Sequence, residues 1–226
     1  GGGGYVNQVS YFRKWRTSDF GLEYSNDSLF KCKIKKIVLS PDEQSFALRN
    51  RDGDLALFDS KTYERMKIKP AAKYSGAGGV VFTPDGKAVI AGFNQGEINF
   101  FNVSNFKIDE KAIKLSGGYC LEYNSNKTRL AISEFGSDYL PQLSIFNTEN
   151  WSTPLFSFKV HALGVNSIAW SNNDKLLISA SPDGTTGIWD ASNGKELAKF
   201  IGTAPNDYIM LTPDNYYMGT KGGMQG

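Results

Sequence analysis

Turn-opening residues return along this chain at a near-constant interval: Ser40, Thr83, Asn124, Ser171 and Thr212 follow one another after 43, 41, 47 and 41 residues. A second landmark keeps the same beat independently, because Phe58, Phe101, Phe146 and Trp189 are separated by 43, 45 and 43 residues. A period of roughly 40–45 residues is what stacked four-stranded sheets produce. One such unit cannot bury its own apolar face, so neighbours must stack on it to build a continuous core. The expected fold class is therefore all-β: a β-propeller of four-stranded antiparallel blades, with four complete repeats and partial blades at both ends. The expected boundaries are a linker and partial blade over 1–33, then repeats over 34–73, 74–115, 116–160 and 161–203, and a partial one over 204–226. Closed rings use about 4–8 blades, and the interrupted ends point to part of a larger ring of about seven.

Each unit has the same order of apolar runs and turns. In the clearest, Val165, Ile168 and Trp170 precede the turn Ser171–Asp174, and Leu176-Leu177-Ile178 forms a second strand. Ser181-Pro182-Asp183-Gly184 turns again, Ile188-Trp189 closes a third strand, and Ser192-Asn193-Gly194 is a hairpin-type turn. Glu196–Phe200 then alternates polar and apolar, as a half-exposed outer strand does. The other copies run from Ile37, Val80 and Cys120 through the turns Ser40-Pro41-Asp42, Thr83-Pro84-Asp85-Gly86 and Asn124-Ser125-Asn126. A fifth opens at Tyr208 and stops after Met218.

Residues 161–190 resemble a WD repeat, with His161, the strand end Ser179-Ala180-Ser181, Asp183-Gly184 and the terminal Trp189-Asp190 in that family's order. In the other copies the closing pair is Phe58-Asp59, Phe101-Asn102 and Phe146-Asn147, without a histidine. The resemblance implies that His161, Ser179, Asp183 and Trp189 form a structural tetrad. The Asp accepts from the His, the His reaches the strand hydroxyl, and the hydroxyl meets the indole N–H. A hydrolase triad of His161, Ser179 and Asp183 is the competing reading. It is disfavoured because Ser179 lies inside a strand with nothing resembling a nucleophile elbow around it.

Few other chemistries are open to this composition. A net charge of +2 supplies no bulk pull toward nucleic acid. One His and two separated cysteines, Cys32 and Cys120, leave no zinc set and read as small buried hydrophobes of a reducing, cytoplasmic compartment rather than as a disulfide. No apolar run reaches the length of a membrane span. Gly76-Ala77-Gly78-Gly79 precedes a strand rather than linking a strand to a helix, which disfavours a dinucleotide fingerprint. Asp52-Gly53-Asp54 lacks the spaced oxygens of a calcium loop. Alternating Lys31, Lys33 and Lys35 suit a solvated strand edge. Tyr11 and Trp15 are read as filling an outer strand of the incomplete first blade. No cofactor and no metal are expected.

The turns between second and third strands differ from copy to copy, whereas the Ser-Pro-Asp-type turns opposite them are near-identical. Variation displayed on a repeated scaffold is how such proteins build binding surfaces. The expected function is a non-catalytic protein-interaction scaffold, with Arg51, Asp52, Gln95, Asp138 and Tyr139 as rim candidates and a protein as partner. The closing run Asp207–Tyr217 also resembles the end of propellers in bacterial multidomain proteins that carry a caspase-like protease. That resemblance implies the alternative of a sensor or regulatory domain. A propeller enzyme would need converging carboxylates or metal ligands, and no repeated set of them occurs.

Overall fold

The computed structural model describes residues 12–26, 33–70, 78–93, 97–108 and 113–224. Among them every regular element is a β-strand, and each pairing is antiparallel. A hairpin of β1 (Phe12–Trp15) and β2 (Leu22–Asn26) precedes four sheets. The first sheet holds β3 (Ile34–Leu39), β4 (Ser45–Asn50), β5 (Leu55–Asp59) and β6 (Arg65–Lys69) in that spatial order. The second holds β7 (Val80–Phe82), β8 (Ala88–Phe93), β9 (Glu97–Asn102) and β10 (Ile113–Lys114), and the third β11 (Ser116–Tyr123), β12 (Arg129–Phe135), β13 (Pro141–Asn147) and β14 (Phe156–Lys159). The fourth has six strands: β15 (Ser167–Trp170), β16 (Leu176–Ala180), β17 (Thr185–Asp190), β18 (Glu196–Ala204), β19 (Asp207–Leu211) and β20 (Tyr217–Gly219).

The core alternates with the pleat. Successive side chains of a strand point to opposite faces, and each central strand feeds two seams. Ala47, Leu55 and Leu57 of the first sheet meet Val80, Val89 and Phe101 of the second. The second sheet's other face, with Val81, Ile90 and Phe100, meets Leu121, Leu130 and Phe146 of the third. Ala131, Leu143 and Ile145 of the third then meet Ile168, Leu177 and Trp189 of the fourth. The inner strand β4 is buried along its whole length and the outer strand β6 is exposed along its whole length. Arg49 sits in this apolar setting on β4 with no solvent exposure, and burial pushes its guanidinium pKa down to about 10.

The landmark aromatics occupy one equivalent place. Phe58, Phe101, Phe146 and Trp189 all lie in third strands, paired with Phe46, Val89, Leu130 and Leu177 of the second strands. All are essentially without exposure.

Two regions differ from expectation. The tail from 204, read as the opening of a further blade, instead extends the fourth sheet. Ala204 pairs with Asp207 across Pro205-Asn206, and so short a connection returns the chain antiparallel to the strand it has just left. It cannot reach a neighbouring sheet packed about 10 Å away. At the other end Trp15 is 51% exposed and fills no core. Phe12 does the packing, stacked on Phe46 with ring centroids 5.3 Å apart, and Phe46 stacks in turn on Phe58 at 5.1 Å. The one-residue difference in strand phase decides which aromatic faces the sheet. Lys33 and Lys35 are exposed, while Lys31, Cys32, Tyr11, Gly76, Ala77 and Gln95 lie outside the described residues. Cys120 is a free thiol. Among the described residues no helix is long and apolar enough to cross a membrane.

Candidate functional site

The fourth sheet carries the one histidine of the chain. His161 lies on the connection between β14 and β15, Ser179 on β16, Trp189 on β17, and Asp183 in the turn joining those two strands. His161 Nε2 is 2.8 Å from Ser179 Oγ, and the Trp189 indole N–H donates to the same oxygen at 2.8 Å. His161 Nδ1 lies 3.3 Å from Asp183 Oδ2 and 2.8 Å from Thr185 Oγ1. Thr185 was not foreseen from sequence. Its hydroxyl donates to Asp183 Oδ1 at 2.6 Å, and its backbone N–H donates there at 2.9 Å. The Ala162 N–H donates to Asp183 Oδ2 at 2.9 Å.

One assignment of protons satisfies every atom. The indole N–H fills one lone pair of Ser179, whose hydroxyl donates to Nε2 of a neutral imidazole. The Nδ1–H then donates toward Thr185 and Asp183, and the Thr185 hydroxyl donates to the carboxylate. Burial holds the His161 pKa below its ordinary value, although the Asp183 charge opposes this, so the ring is neutral at pH 7. Burial alone would raise the Asp183 pKa, but the Thr185 hydroxyl and the two backbone N–H groups outweigh it and bring it to about 2.

The burial of Ser179 tells against the hydrolase reading. Ser179 is fully buried, and its oxygen accepts from the Trp189 indole as well as bonding His161. A nucleophile must instead meet a substrate carbonyl with an oxyanion site beside it. The bonds tie the β14–β15 connection to β16 and β17 of the fourth sheet.

Neighbouring sheets show why the set occurs once. The partner of Trp189 across the strand pair leaves Ser179 opposite Gly187, and a Cβ on Gly187 would sit 2.4 Å from the indole ring. The equivalent pairs are Leu48 with Ala56, Ala91 with Asn99, and Ile132 with Ser144, each beside a Phe. Phenylalanine has no N–H, so the hydroxyl position turns apolar with it, and its smaller ring admits a side chain where Gly187 must have none. The third sheet carries a separate polar chain that sequence reading missed: the Ser144 hydroxyl bonds the buried Glu134 carboxylate and lies 2.6 Å from Ser157 Oγ.

The described rim candidates, Arg51, Asp52, Asp138 and Tyr139, lie on second-to-third-strand turns, as Asp183 does. Arg51 and Asp52 are exposed at the end of the first sheet, and Asp138 and Tyr139 at the end of the third, with the second sheet between them. Asp138 accepts from Lys159, which holds its carboxyl below the usual range. Tyr139 is 84% exposed at φ 60°, a left-handed conformation that its counterparts Gly53 and Gly184 fill with glycine. Leu140, Lys159 and Lys199 border a cleft of about 370 Å³ beside it, over His161.

The opposite face is uniform. Ser40, Thr83 and Ser171 hydroxyls each donate to the side chain two residues on, at 2.6, 2.7 and 2.7 Å, and accept from the backbone N–H five residues on, at 3.0 Å in each case. Asn124 reproduces both bonds with its amide. The fourth turn residue is left-handed throughout: Glu43, Gly86, Lys127, Asp174 and Asn215.

Comparison with known proteins agrees with this anatomy. Residues 152–190 match the family described as WD domain, G-beta repeat. Over 123 residues, 54% of this chain, the sequence is 27% identical to Periodic tryptophan protein 2 of Saccharomyces cerevisiae, covering 13% of that protein. Over 149 residues, 64% of the chain, it is 28% identical to WD repeat-containing protein SL1-17 of Schistosoma mansoni, covering 46% of it. The chain therefore spans less than half of either relative's length.

Proposed function

We propose that this chain, a WD-repeat protein, is a non-catalytic platform that captures a protein partner on the face bearing Arg51, Asp52, Asp138 and Tyr139; Gln95 belongs to the same proposal by its place in the repeat. The observation that carries the proposal is Tyr139. A bulky side chain in the left-handed region is destabilised by roughly 1 kcal/mol relative to glycine, and nothing in the fold repays it, since the ring is 84% exposed. An open aromatic next in sequence to Leu140, which borders a cleft, is the kind of group that anchors protein interfaces. A reducing cytoplasmic setting is part of the proposal and rests on the free Cys120 thiol.

The test places a photo-crosslinking amino acid at position 139 and, as the opposite-face control, at 125, in the native host. A partner joined from 139 and not from 125 is expected. Its affinity should fall at least tenfold for Tyr139→Gly, whose melting temperature stays level or rises, and should fall less for Arg51→Glu and Asp138→Lys. Unchanged affinity in all three variants removes this face. A regulatory domain within a longer polypeptide is the second reading, motivated by relatives much longer than the matched stretch. The intact mass of the native protein decides it.

A further inference from the structure

Independent of that face, the seams between sheets differ at the opposite end. At the third seam Asp174 ties the fourth sheet to the third, accepting from the Ser125 N–H at 2.7 Å and from the Asn124 amide at 3.1 Å. At the first seam Gly86 allows close approach, and a Cβ there would lie 3.5 Å from Pro41. At the second seam the same turn position is Lys127, which has no carboxylate to offer. A cleft of about 470 Å³ opens at this seam.

Its lining combines two kinds of surface. The second sheet contributes Thr83, Asp85, Lys87, Phe100 and Asn102, and the third contributes Thr148 and Trp151. Trp151 meets Phe100 edge to face at 5.2 Å, which makes an aromatic wall. Asp85 uses Oδ1 for the turn, bonding the Thr83 hydroxyl at 2.7 Å and the Lys87 N–H at 3.0 Å, so that Oδ2 is turned to no bond of that turn. One carboxylate and one ammonium cancel, leaving a neutral site with donors and acceptors on both sides. The buried Tyr123 hydroxyl has no hydrogen-bonding partner among the described residues. Tyr123 packs against the same cluster as Ala88 and Trp151.

We propose that this cleft binds a single neutral sugar ring. The C–H face of the ring lies against Trp151, and its vicinal hydroxyls bond Asp85 and Lys87. A polyhydroxylated ring is the ligand class that uses every feature at once: an aromatic wall for an apolar ring face, a charge-assisted acceptor, a cationic donor and flanking hydroxyls and amide. A free cation would meet Lys87, and a free anion would meet Asp85. A purely apolar ligand would leave both charges and the hydroxyls without partners.

The test uses the full chain labelled at its 4 tryptophans, with the indole signal of residue 151 identified through Trp151→Phe. The methyl glycosides of glucose, mannose, galactose and fucose, and N-acetylglucosamine, are titrated to about 50 mM. At least one is expected to shift the Trp151 indole saturably while the other three indoles stay still. Asp85→Asn is a clean variant, because Asn126 and Asn173 occupy the same turn position with the same backbone bond. It should weaken that sugar at least tenfold without moving the melting temperature, whereas Asp42→Asn in the first sheet should leave binding alone. The proposal falls if no sugar gives a saturable Trp151 shift, if all four indoles move together, or if Asp85→Asn binds as well as the parent chain.

Discussion

The third sheet and the first four strands of the fourth share strand order, the register of their central pair and landmark positions, yet they solve the problem of their buried centre by opposite means. The fourth runs a relay of hydrogen bonds from Trp189 through Ser179 and His161 to Asp183, and clears space for the indole with Gly187. The third puts Ile132 where Ser179 stands and Phe146 where Trp189 stands, and its polar groups form a shorter set around Glu134. The difference teaches that the polar set comes as a whole or not at all. A lone indole N–H or a lone hydroxyl at these depths is worse than an apolar pair, because a half-satisfied polar network loses solvation without regaining it.

The strongest way to break the comparison is Gly187→Ala. Its Cβ would overlap the Trp189 ring, and a loss of about 3 kcal/mol is expected in urea unfolding. The double variant with Trp189→Phe should recover part of it, since alanine and phenylalanine already coexist at Ala56 and Phe58, the remainder being the indole N–H that Ser179 loses. Equal stability of single and double variants would show that the ring does not set the glycine.

A smaller effect comes from His161→Ala, with about 2 kcal/mol lost at pH 7.5 from the orphaned Ser179 and Asp183 groups. The histidine's own contribution has a definite sign. Its pKa is depressed in the folded state, so the unfolded chain binds more protons below 6.5. Parent stability should therefore decline as pH drops below that value, and the gap to the variant should narrow by pH 5.5. A second decline belongs to Asp183: stability present above 3.8 is lost as pH falls toward about 2, on the order of 1–2 kcal/mol. A gap that widens in acid would mean that the ring is charged in the folded protein.

The smallest effect sharpens the comparison at the turns. Lys127 in the third sheet adopts φ 58°, where the second sheet has Gly86 at φ 71°. Lys127→Gly should raise stability by about 0.5 kcal/mol, the relief of the left-handed strain less the added freedom of the unfolded chain. The same measurement on Gly86→Ala should go the other way.

Much of the architecture was legible because the repeat is written twice, in turn residues and in aromatics, and both sets reached equivalent positions. The tetrad was legible because its four residue types stand in a recognisable order. Thr185 was not, because a threonine after a turn glycine is ordinary strand composition, and only the fold brings its hydroxyl under the imidazole. The meaning of Tyr139 was half legible: its place on a variable turn could be read, its left-handed backbone could not. The tail misled because Tyr208–Met218 repeats the first half of a blade, while Pro205-Asn206, the signal that sends it back along β18, is only two residues long. Arg49 gave no warning at all. Its strand reads as apolar on both sides, and the burial of its guanidinium depends on the sheets stacked around it.

The stretch that matches the WD family, residues 152–190, does not coincide with any one sheet. It begins just before β14, the last strand of the third sheet, and ends before β18, the fourth of the six strands in the fourth sheet. Genetic copying of that stretch would never deliver a finished sheet; each new copy completes the one behind it and waits to be completed by the one ahead. Cutting the gene at the same borders would strip one sheet of its margin and leave raw backbone N–H and C=O groups on a neighbour, an invitation to pair with other molecules. Excision between 165 and 204 keeps β18 with β15–β17 but severs β19 and β20 from them and parts His161 from Ser179, so the fourth sheet has no border at which it can be removed clean.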